Sequence, residues 1–101
     1  MNLSERDNQY NWHPYTQHKT AQPHIAITKG QGALLWDENN NQYIDAIASW
    51  WVNPFGHSNT FIADAIYKQL TTLEHVLFGG FTHEPAVVLA EKLMAILPKN
   101  Q

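Results

Sequence analysis

Six histidines raise the question of a metal site in this chain. Two imidazoles share one helix face when they are spaced i, i+4, and neither His13 with His18 nor His75 with His83 has that spacing. The chain contains no cysteine that could complete a ligand set. We therefore expect no metal site, and we expect surface or capping roles for most of these side chains.

Other patterns that support catalysis are absent from the sequence. It has no Gly-x-Ser-x-Gly elbow, no carboxylates paired at helical spacing, and no lysine whose neighbours favour Schiff-base formation. Gly30-x-Gly32 lacks the third glycine of a phosphate-binding loop, because Leu35 stands there, and a strand is expected to follow. We interpret this segment as a turn. Gly79-Gly80 is either a turn between helices or a close approach to a ligand or partner chain, and composition favours the turn.

Aromatic residues are the remaining candidates for a binding site. Trp50 and Trp51 stand beside Pro54 and Gly56 in a segment without regular periodicity. The pair can serve as core, as a partner interface, or as a flat wall for a ligand with an aliphatic chain or conjugated ring. Tyr15 can be a polar-tipped anchor or can aim its hydroxyl at a substrate. The residue pattern alone leaves these alternatives open.

Composition narrows the class of protein. The chain has 101 residues, Lys+Arg 6 against Asp+Glu 9, and a formal net charge of −3, so it lacks the basic surface that nucleic acid requires. Its polar, acidic first residues do not resemble a targeting signal, and no apolar run is long enough to span a membrane, so we expect a cytoplasmic protein. Twelve aromatic residues are many for a chain this short to cover, which indicates a part of a larger protein.

The elements that must position the aromatic residues form an α+β pattern. Residues 1–24 read as an N-terminal arm in which Ser4 could cap a short helix, and residues 25–28, 33–36 and 42–45 as an antiparallel β-meander with turns at 29–32 and 37–41. Residues 46–57 are expected to be a loop. A first helix carries apolar residues from Phe61 to Leu73 after a cap at Ser58 or Asn59. A second helix follows a cap at Thr82 and stops at Pro98.

Several motifs together resemble the class III aminotransferases. These are residues 12–17, the pattern from Gly32 to Asp37 with residues 43–45, the segment 49–53, the Gly56-His57 step, and residues 75–86. The His-Pro-Tyr-Thr arm, the Ser-Trp-Trp triplet and the Phe-x-Gly-Phe-Thr-His stretch resemble the biotin-pathway members in particular. Many relatives have Gly where Asn40 stands, and His-Pro in place of Asn59-Thr60. Neither departure touches the residues expected at the site.

The resemblance implies a transferase of fold type I that uses pyridoxal 5'-phosphate (PLP) and acts as a homodimer. It implies transfer of an amino group from S-adenosylmethionine to 8-amino-7-oxononanoate, which gives 7,8-diaminononanoate. By position, Tyr15 would hydrogen-bond the substrate, Trp50 and Trp51 would form its apolar wall, and Phe78, Gly79 and Gly80 would approach the partner subunit's site. The family's PLP-binding residues and catalytic lysine are expected downstream of these 101 residues, so no catalytic residue is expected in this chain.

The resemblance also implies a domain division. Residues 1–57 would belong to the small domain, and residues 58–101 would begin the large PLP-binding domain. The chain would then be an N-terminal segment that is inactive alone. The alternative is a free-standing interaction or ligand-binding module whose exposed aromatics serve a partner.

Overall fold

The computed structural model describes residues 1–99, and the chain divides after Ala63 into two compact units. The first unit opens with helix α1 (Leu3–Tyr10). Asn2 begins it through a capping box, in which the Asn2 side chain accepts from the Glu5 amide and the Glu5 carboxylate accepts from the Asn2 amide. The predicted cap at Ser4 is therefore wrong. The Ser4 hydroxyl instead donates to the His24 carbonyl at 2.7 Å and ties α1 to the end of the arm.

A three-stranded antiparallel meander follows, as predicted, with strand order β1-β2-β3. Its strands are β1 (Ile27–Gln31), β2 (Leu34–Asp37) and β3 (Gln42–Ile44). The predicted first strand was placed too early, because the chain continues straight through residues 29–31. The reversal falls at Gly32 (φ 57°), whose left-handed backbone suits the first position of a tight hairpin turn. The α+β class of the fold is thus confirmed.

Asp37 organises the turn between β2 and β3. Asp37 is 6% exposed, and its Oδ1 accepts from the amides of Asn39 and Asn41, each at 2.9 Å. Its Oδ2 accepts from the Asn41 side-chain amide and the Tyr43 hydroxyl, also at 2.9 Å. The Asn41 side chain first, then the neighbouring amides and Tyr43, hold the pKa of Asp37 below its usual value. Within the turn Asn40 is left-handed (φ 62°), a conformation that Asn tolerates.

Two helices of 13 residues complete the described chain. Helix α3 (Thr60–Thr72) runs from the first unit into the second, and the Asn59 side chain accepts from the Ile62 amide at 3.2 Å, as predicted for a cap. Helix α4 (Glu84–Ile96) ends before Pro98, as predicted. Its cap, however, is His83, whose Nδ1 accepts from the Ala86 amide at 3.3 Å, and the predicted cap at Thr82 is wrong. Across residues 1–99 no helix has the length and apolarity needed to cross a bilayer.

Apolar side chains are exposed throughout the described chain. Over residues 1–99 no apolar residue is buried, and Asp37 is the one buried polar residue. The exposed set includes residues from the apolar stripes of both long helices: Phe61, Ile66, Leu70, Leu89, Leu93 and Ile96. Such stripes normally face other secondary structure. The described residues alone therefore leave these apolar faces uncovered.

Candidate functional site

The three residues predicted to bind substrate share an uncommon backbone conformation. Tyr15 (φ 54°), Trp50 (φ 64°) and Trp51 (φ 66°) all lie in the left-handed region. Each left-handed residue other than glycine costs roughly 1–2 kcal/mol. Strain of this kind persists where the surrounding structure enforces it, and it concentrates at functional sites.

Tyr15 lies in the arm, on an open cleft of about 660 Å³ that residues 12–17 line. Its side chain is 91% exposed, and its ring meets the Trp50 ring edge-on, with centroids 5.6 Å apart and an interplanar angle of 68°. This is a favoured geometry for an aromatic pair. The structure therefore brings together two of the three predicted substrate residues from segments 35 positions apart in sequence. Trp51 is 82% exposed.

The segment expected to be a loop contains a helical turn of the opposite hand. Helix α2 (Ala48–Trp51) has positive φ at all four of its residues. The Trp51 amide donates to the Ile47 carbonyl at 2.9 Å, and the Val52 amide donates to the Ala48 carbonyl, so the turn closes with i to i−4 bonds. Consecutive left-handed residues without glycine are rare in proteins. The prediction of irregular backbone here is therefore corrected to one left-handed turn.

Asp45, at the exit of β3, braces this turn. Its Oδ1 accepts from the Ser49 amide at 2.9 Å, and its Oδ2 accepts from the Ser49 hydroxyl at 2.6 Å. The His57 Nε2 lies 2.7 Å from the same Oδ2. The Asp45 side chain is only 7% exposed. The Ser49 hydroxyl and amide, followed by His57, lower the pKa of Asp45 to about 2, so the group is a carboxylate at neutral pH.

His57 connects the brace to the sheet. A carboxylate only accepts, so Nε2 carries the proton toward Asp45, and Nδ1 is then free to accept from the Asn53 side-chain amide at 3.4 Å. The His57 backbone pairs with Gly32 through two hydrogen bonds of 2.8 and 3.0 Å. A Cβ on Gly30 would lie 2.8 Å from the His57 Cβ. Gly30, predicted as a turn residue, is therefore a strand residue that allows this close approach.

Sequence reasoning did not identify the bracing residues. Asp45, Ser49 and His57 lie within motifs that carry the family resemblance, and the sequence pattern indicates no separate role for them. The i, i+4 spacing of Asp45 and Ser49 is the one local signal, and it is not diagnostic because many such pairs occur on right-handed helices. The contact with His57 joins residues twelve apart across the left-handed turn.

Phe78, Gly79 and Gly80 belong to the second unit. The Phe78 ring meets His83 edge-on at 5.7 Å, next to the start of α4, and Gly80 has φ 92°. A left-handed glycine fits the predicted turn between helices. The approach of these residues to a partner subunit stays a prediction.

Asp7, His13 and His24 form a cluster that the spacing argument overlooked. Their ligand-type atoms all lie within 4.8 Å of one another, and His13 Nε2 is 2.6 Å from Asp7 Oδ2. The two imidazoles are stacked, with centroids 3.7 Å apart and planes inclined by 20°. Nitrogen lone pairs lie in the ring planes, so rings stacked in this way direct them side by side rather than toward one ion. The cluster, as arranged, joins α1 to the later part of the N-terminal arm and does not have the geometry of a metal site.

The lysines of the described residues lie on the surface of this chain. All five lysines of residues 1–99 are exposed, and Lys29 Nζ lies 4.7 Å from the centroid of the Trp36 ring. A lysine that bonds a cofactor carbonyl needs an enclosed or electropositive setting that favours its neutral form. None of the five has an enclosed setting within the part of the chain that the structure describes.

The chain belongs to the class III aminotransferase family, since the model of that family matches residues 15–101. It is similar to the adenosylmethionine-8-amino-7-oxononanoate aminotransferases of Helicobacter pylori, 46% identical over 91% of this chain, and of Staphylococcus aureus, 42% identical over 97%. The chain spans 22% of the length of each of these curated relatives.

Solved structures agree with this assignment. The adenosylmethionine-8-amino-7-oxononanoate aminotransferase of Methanocaldococcus jannaschii superposes with a TM-score of 0.88 at 40% identity, over 96% of this chain and 23% of that one. An omega transaminase of Pseudomonas jessenii, solved in complex with PMP, gives a TM-score of 0.88 at 36% identity, over 97% of this chain and 22% of that one. The predicted resemblance to PLP-dependent aminotransferases is confirmed.

Proposed function

We propose that the intact protein carrying this chain is the biotin-pathway aminotransferase. It would move an amino group from S-adenosylmethionine to 8-amino-7-oxononanoate and form 7,8-diaminononanoate. The names of the curated relatives support this assignment, because relatives from distant organisms share one name and match more than nine-tenths of the chain. A solved structure with the same framework is named an omega transaminase, so the proposal rests on the names of the curated relatives rather than on the fold.

The observation that carries the proposal for this chain is the strained aromatic pair. Tyr15 and Trp50 are both left-handed, both exposed, and in edge-to-face contact. Backbone strain concentrates at functional sites, and here two strained residues from separate segments meet through their rings. A flat indole wall with a phenol at its edge suits a slender amino-ketone, which needs apolar contact along its chain and one polar partner. Trp51 would extend that wall.

PLP, when bound, supplies the electron sink for exchange of the amino group. The residues that hold it are proposed to lie in parts of the intact protein beyond this chain, so the chain alone would be inactive. We also propose that the protein is a cytoplasmic homodimer in which Phe78, Gly79 and Gly80 approach the partner subunit's site. The division into a small-domain part, residues 1–57, and the start of the large domain, residues 58–101, belongs to the same proposal.

A pair of matched tyrosine substitutions tests the role of the phenol. In the intact protein, Tyr15→Phe should raise KM for 8-amino-7-oxononanoate about tenfold, which corresponds to one lost substrate hydrogen bond. Tyr10→Phe removes the same hydroxyl from an exposed tyrosine on α1 and should leave KM unchanged. Equal KM values for all three proteins would remove Tyr15 from the site.

Borohydride reduction of the intact protein with PLP tests where the cofactor is held. Peptide mapping should find the reduced adduct on a lysine outside residues 1–101. An adduct on Lys19, Lys29, Lys68, Lys92 or Lys99 would refute the assignment. Comparing S-adenosylmethionine with lysine as amino donor in the same preparation identifies the donor. An intact protein that binds no PLP would instead favour the interaction module.

A further inference from the structure

We infer that Asp45, acting with Ser49 and His57, is the positioning residue that fixes Trp50 as a substrate wall. This inference rests on the proposed function for the identity of the substrate. No hydrogen bond of the described residues joins the Asp45 carboxylate to the Trp50 side chain. Asp45 acts through the backbone, because its carboxylate holds both the amide and the hydroxyl of Ser49, the residue immediately before Trp50.

The first step of the argument is that α2 requires an external restraint. Ala48, Ser49, Trp50 and Trp51 all occupy the left-handed region, and none is a glycine. Among the described residues, the Trp51 amide donates to the Ile47 carbonyl and the Val52 and Asn53 amides donate to the Ala48 carbonyl, while the Ala48 amide makes a longer bond of 3.4 Å to the Asp45 carbonyl. A short helix is marginal even with the favoured hand, so these bonds do not account for the conformation.

The second step is that the restraint comes from one carboxylate. Asp45 uses both oxygens on Ser49 and adds His57 at 2.7 Å, so the charge receives three short hydrogen bonds. Charge-assisted bonds of this kind are stronger than bonds between neutral groups. Both side chains of the Asp45 and His57 pair are largely shielded from water, at 7% and 16% exposure.

The third step is that the anchor of this carboxylate is rigid. The His57 amide donates to the Gly32 carbonyl, and the His57 carbonyl accepts from the Gly32 amide. The Asp45 amide donates to the Ala33 carbonyl at 2.8 Å. Both partners lie in the hairpin turn between β1 and β2. The meander thus holds Asp45 and His57, and Asp45 in turn holds Ser49. We infer that this sets the direction of Trp50, the next residue, toward Tyr15. Loss of Asp45 should release the turn and let the indole leave its edge-on position.

The experiment measures Trp50 geometry and substrate binding separately in the intact protein. The near-UV circular dichroism difference between the wild type and Trp50→Phe isolates the signal of this indole. In an Asp45→Asn background the same difference should lose most of its intensity. The KM for 8-amino-7-oxononanoate should rise about tenfold, with a smaller change in kcat. Asp37→Asn is the matched control, because it alters the carboxylate of the other turn and should leave both quantities unchanged.

Each result decides the inference. An unchanged Trp50 signal in Asp45→Asn, an unchanged KM, or an equal KM change in Asp37→Asn would overturn it. If the intact protein does not aminate 8-amino-7-oxononanoate, the proposed function fails, and the Trp50 signal alone decides whether Asp45 positions this residue. If Asp45→Asn does not fold, Ser49→Ala replaces it, because it removes the hydroxyl bond and keeps the amide bond. That variant should produce a partial loss in the same direction.

Discussion

Two carboxylates, at the ends of successive strands, organise turns of different kinds. Asp37 closes β2 and receives four hydrogen bonds in a turn with one left-handed residue, Asn40. Asp45 follows β3 and receives three hydrogen bonds beside a turn with four left-handed residues. In both turns a carboxylate accepts several hydrogen bonds, but the backbone conformations that it stabilises differ.

The difference indicates what each turn is for. At Asn40 the sequence supplies a residue type that tolerates the left-handed region, so the Asp37 turn carries little strain. At α2 it supplies Ala, Ser and two Trp, so the turn carries strain that four glycines would remove. A turn that retains bulky aromatics in an unfavourable conformation is expected to present them. We therefore expect the Asp37 turn to serve folding, and we propose that the Asp45 turn serves the site.

Removal of the buried carboxylate should have the largest effect on stability. Asp37→Ala leaves the amides of Asn39 and Asn41, the Asn41 side chain and the Tyr43 hydroxyl without their acceptor. Unpaired donors in a shielded turn are costly, so we expect the unfolding midpoint of the intact protein to fall by roughly 5–10 °C. Asp45→Ala should lower it less, because loss of its bonds also releases the strain of α2. Equal midpoints for the two variants, measured by calorimetry, would remove the distinction drawn here.

One substitution placed in two helices tests the strain directly. Ala48→Gly relieves a left-handed alanine and should raise the free energy of unfolding by about 0.5–1 kcal/mol. Ala65→Gly makes the same change inside the right-handed helix α3 and should lower it by about 1 kcal/mol. Denaturant titration of both variants supplies the comparison. Destabilisation by Ala48→Gly would mean that α2 is not strained.

The Asp37 turn should respond weakly to a similar change. Asn40→Gly should be nearly neutral, because Asn already accepts φ near 60°. Asn40→Ala should lower the free energy of unfolding by about 0.5–1 kcal/mol, because alanine lacks that tolerance. A stabilising effect of Asn40→Gly as large as that of Ala48→Gly would erase the contrast between the turns.

Sequence reasoning reached the elements that follow general patterns. Alternating apolar residues and Asn-rich turn residues predicted the meander, and the Phe61 to Leu73 spacing predicted α3, because strand and helix periods are short-range properties. The capping residues of the helices were harder to predict. Ser4 and Thr82 are good capping types, but Asn2 gains a reciprocal bond from Glu5, and His83 accepts from Ala86. Several residue types can fill a cap, and local sequence does not rank them.

The site itself was only partly predictable. The residue pattern makes Tyr15 and the two tryptophans candidates with several roles open, the resemblance implies substrate binding, and the contact between Tyr15 and Trp50 is seen only in the structure. Residue propensities do not predict the left-handed turn, because Gly and Asn favour positive φ and Trp does not. Long-range contacts impose it, through Asp45 and through His57 against Gly32. The cluster of Asp7, His13 and His24 was missed for the same reason, since spacing arguments see only local pairs.

Acid titration should have the smallest effect, and it distinguishes Asp45 from Asp37 by their influence on the Trp50 dichroism signal. The ordinary pKa of an aspartate is 3.8, and hydrogen bonds from Ser49 and His57 lower that of Asp45 to about 2 in the folded protein. A lowered folded-state pKa means that the unfolded chain binds the proton first, so this contribution to stability is complete above pH 4 and disappears as the pH falls toward 2. The Trp50 dichroism signal should therefore be constant from pH 7 to about pH 4 and decline below it.

In Asp45→Asn that decline should be absent, whereas in Asp37→Asn it should remain, because the hydrogen bonds of Asp37 lie in the turn between β2 and β3. A signal that already falls between pH 7 and 5 would contradict this assignment to Asp45.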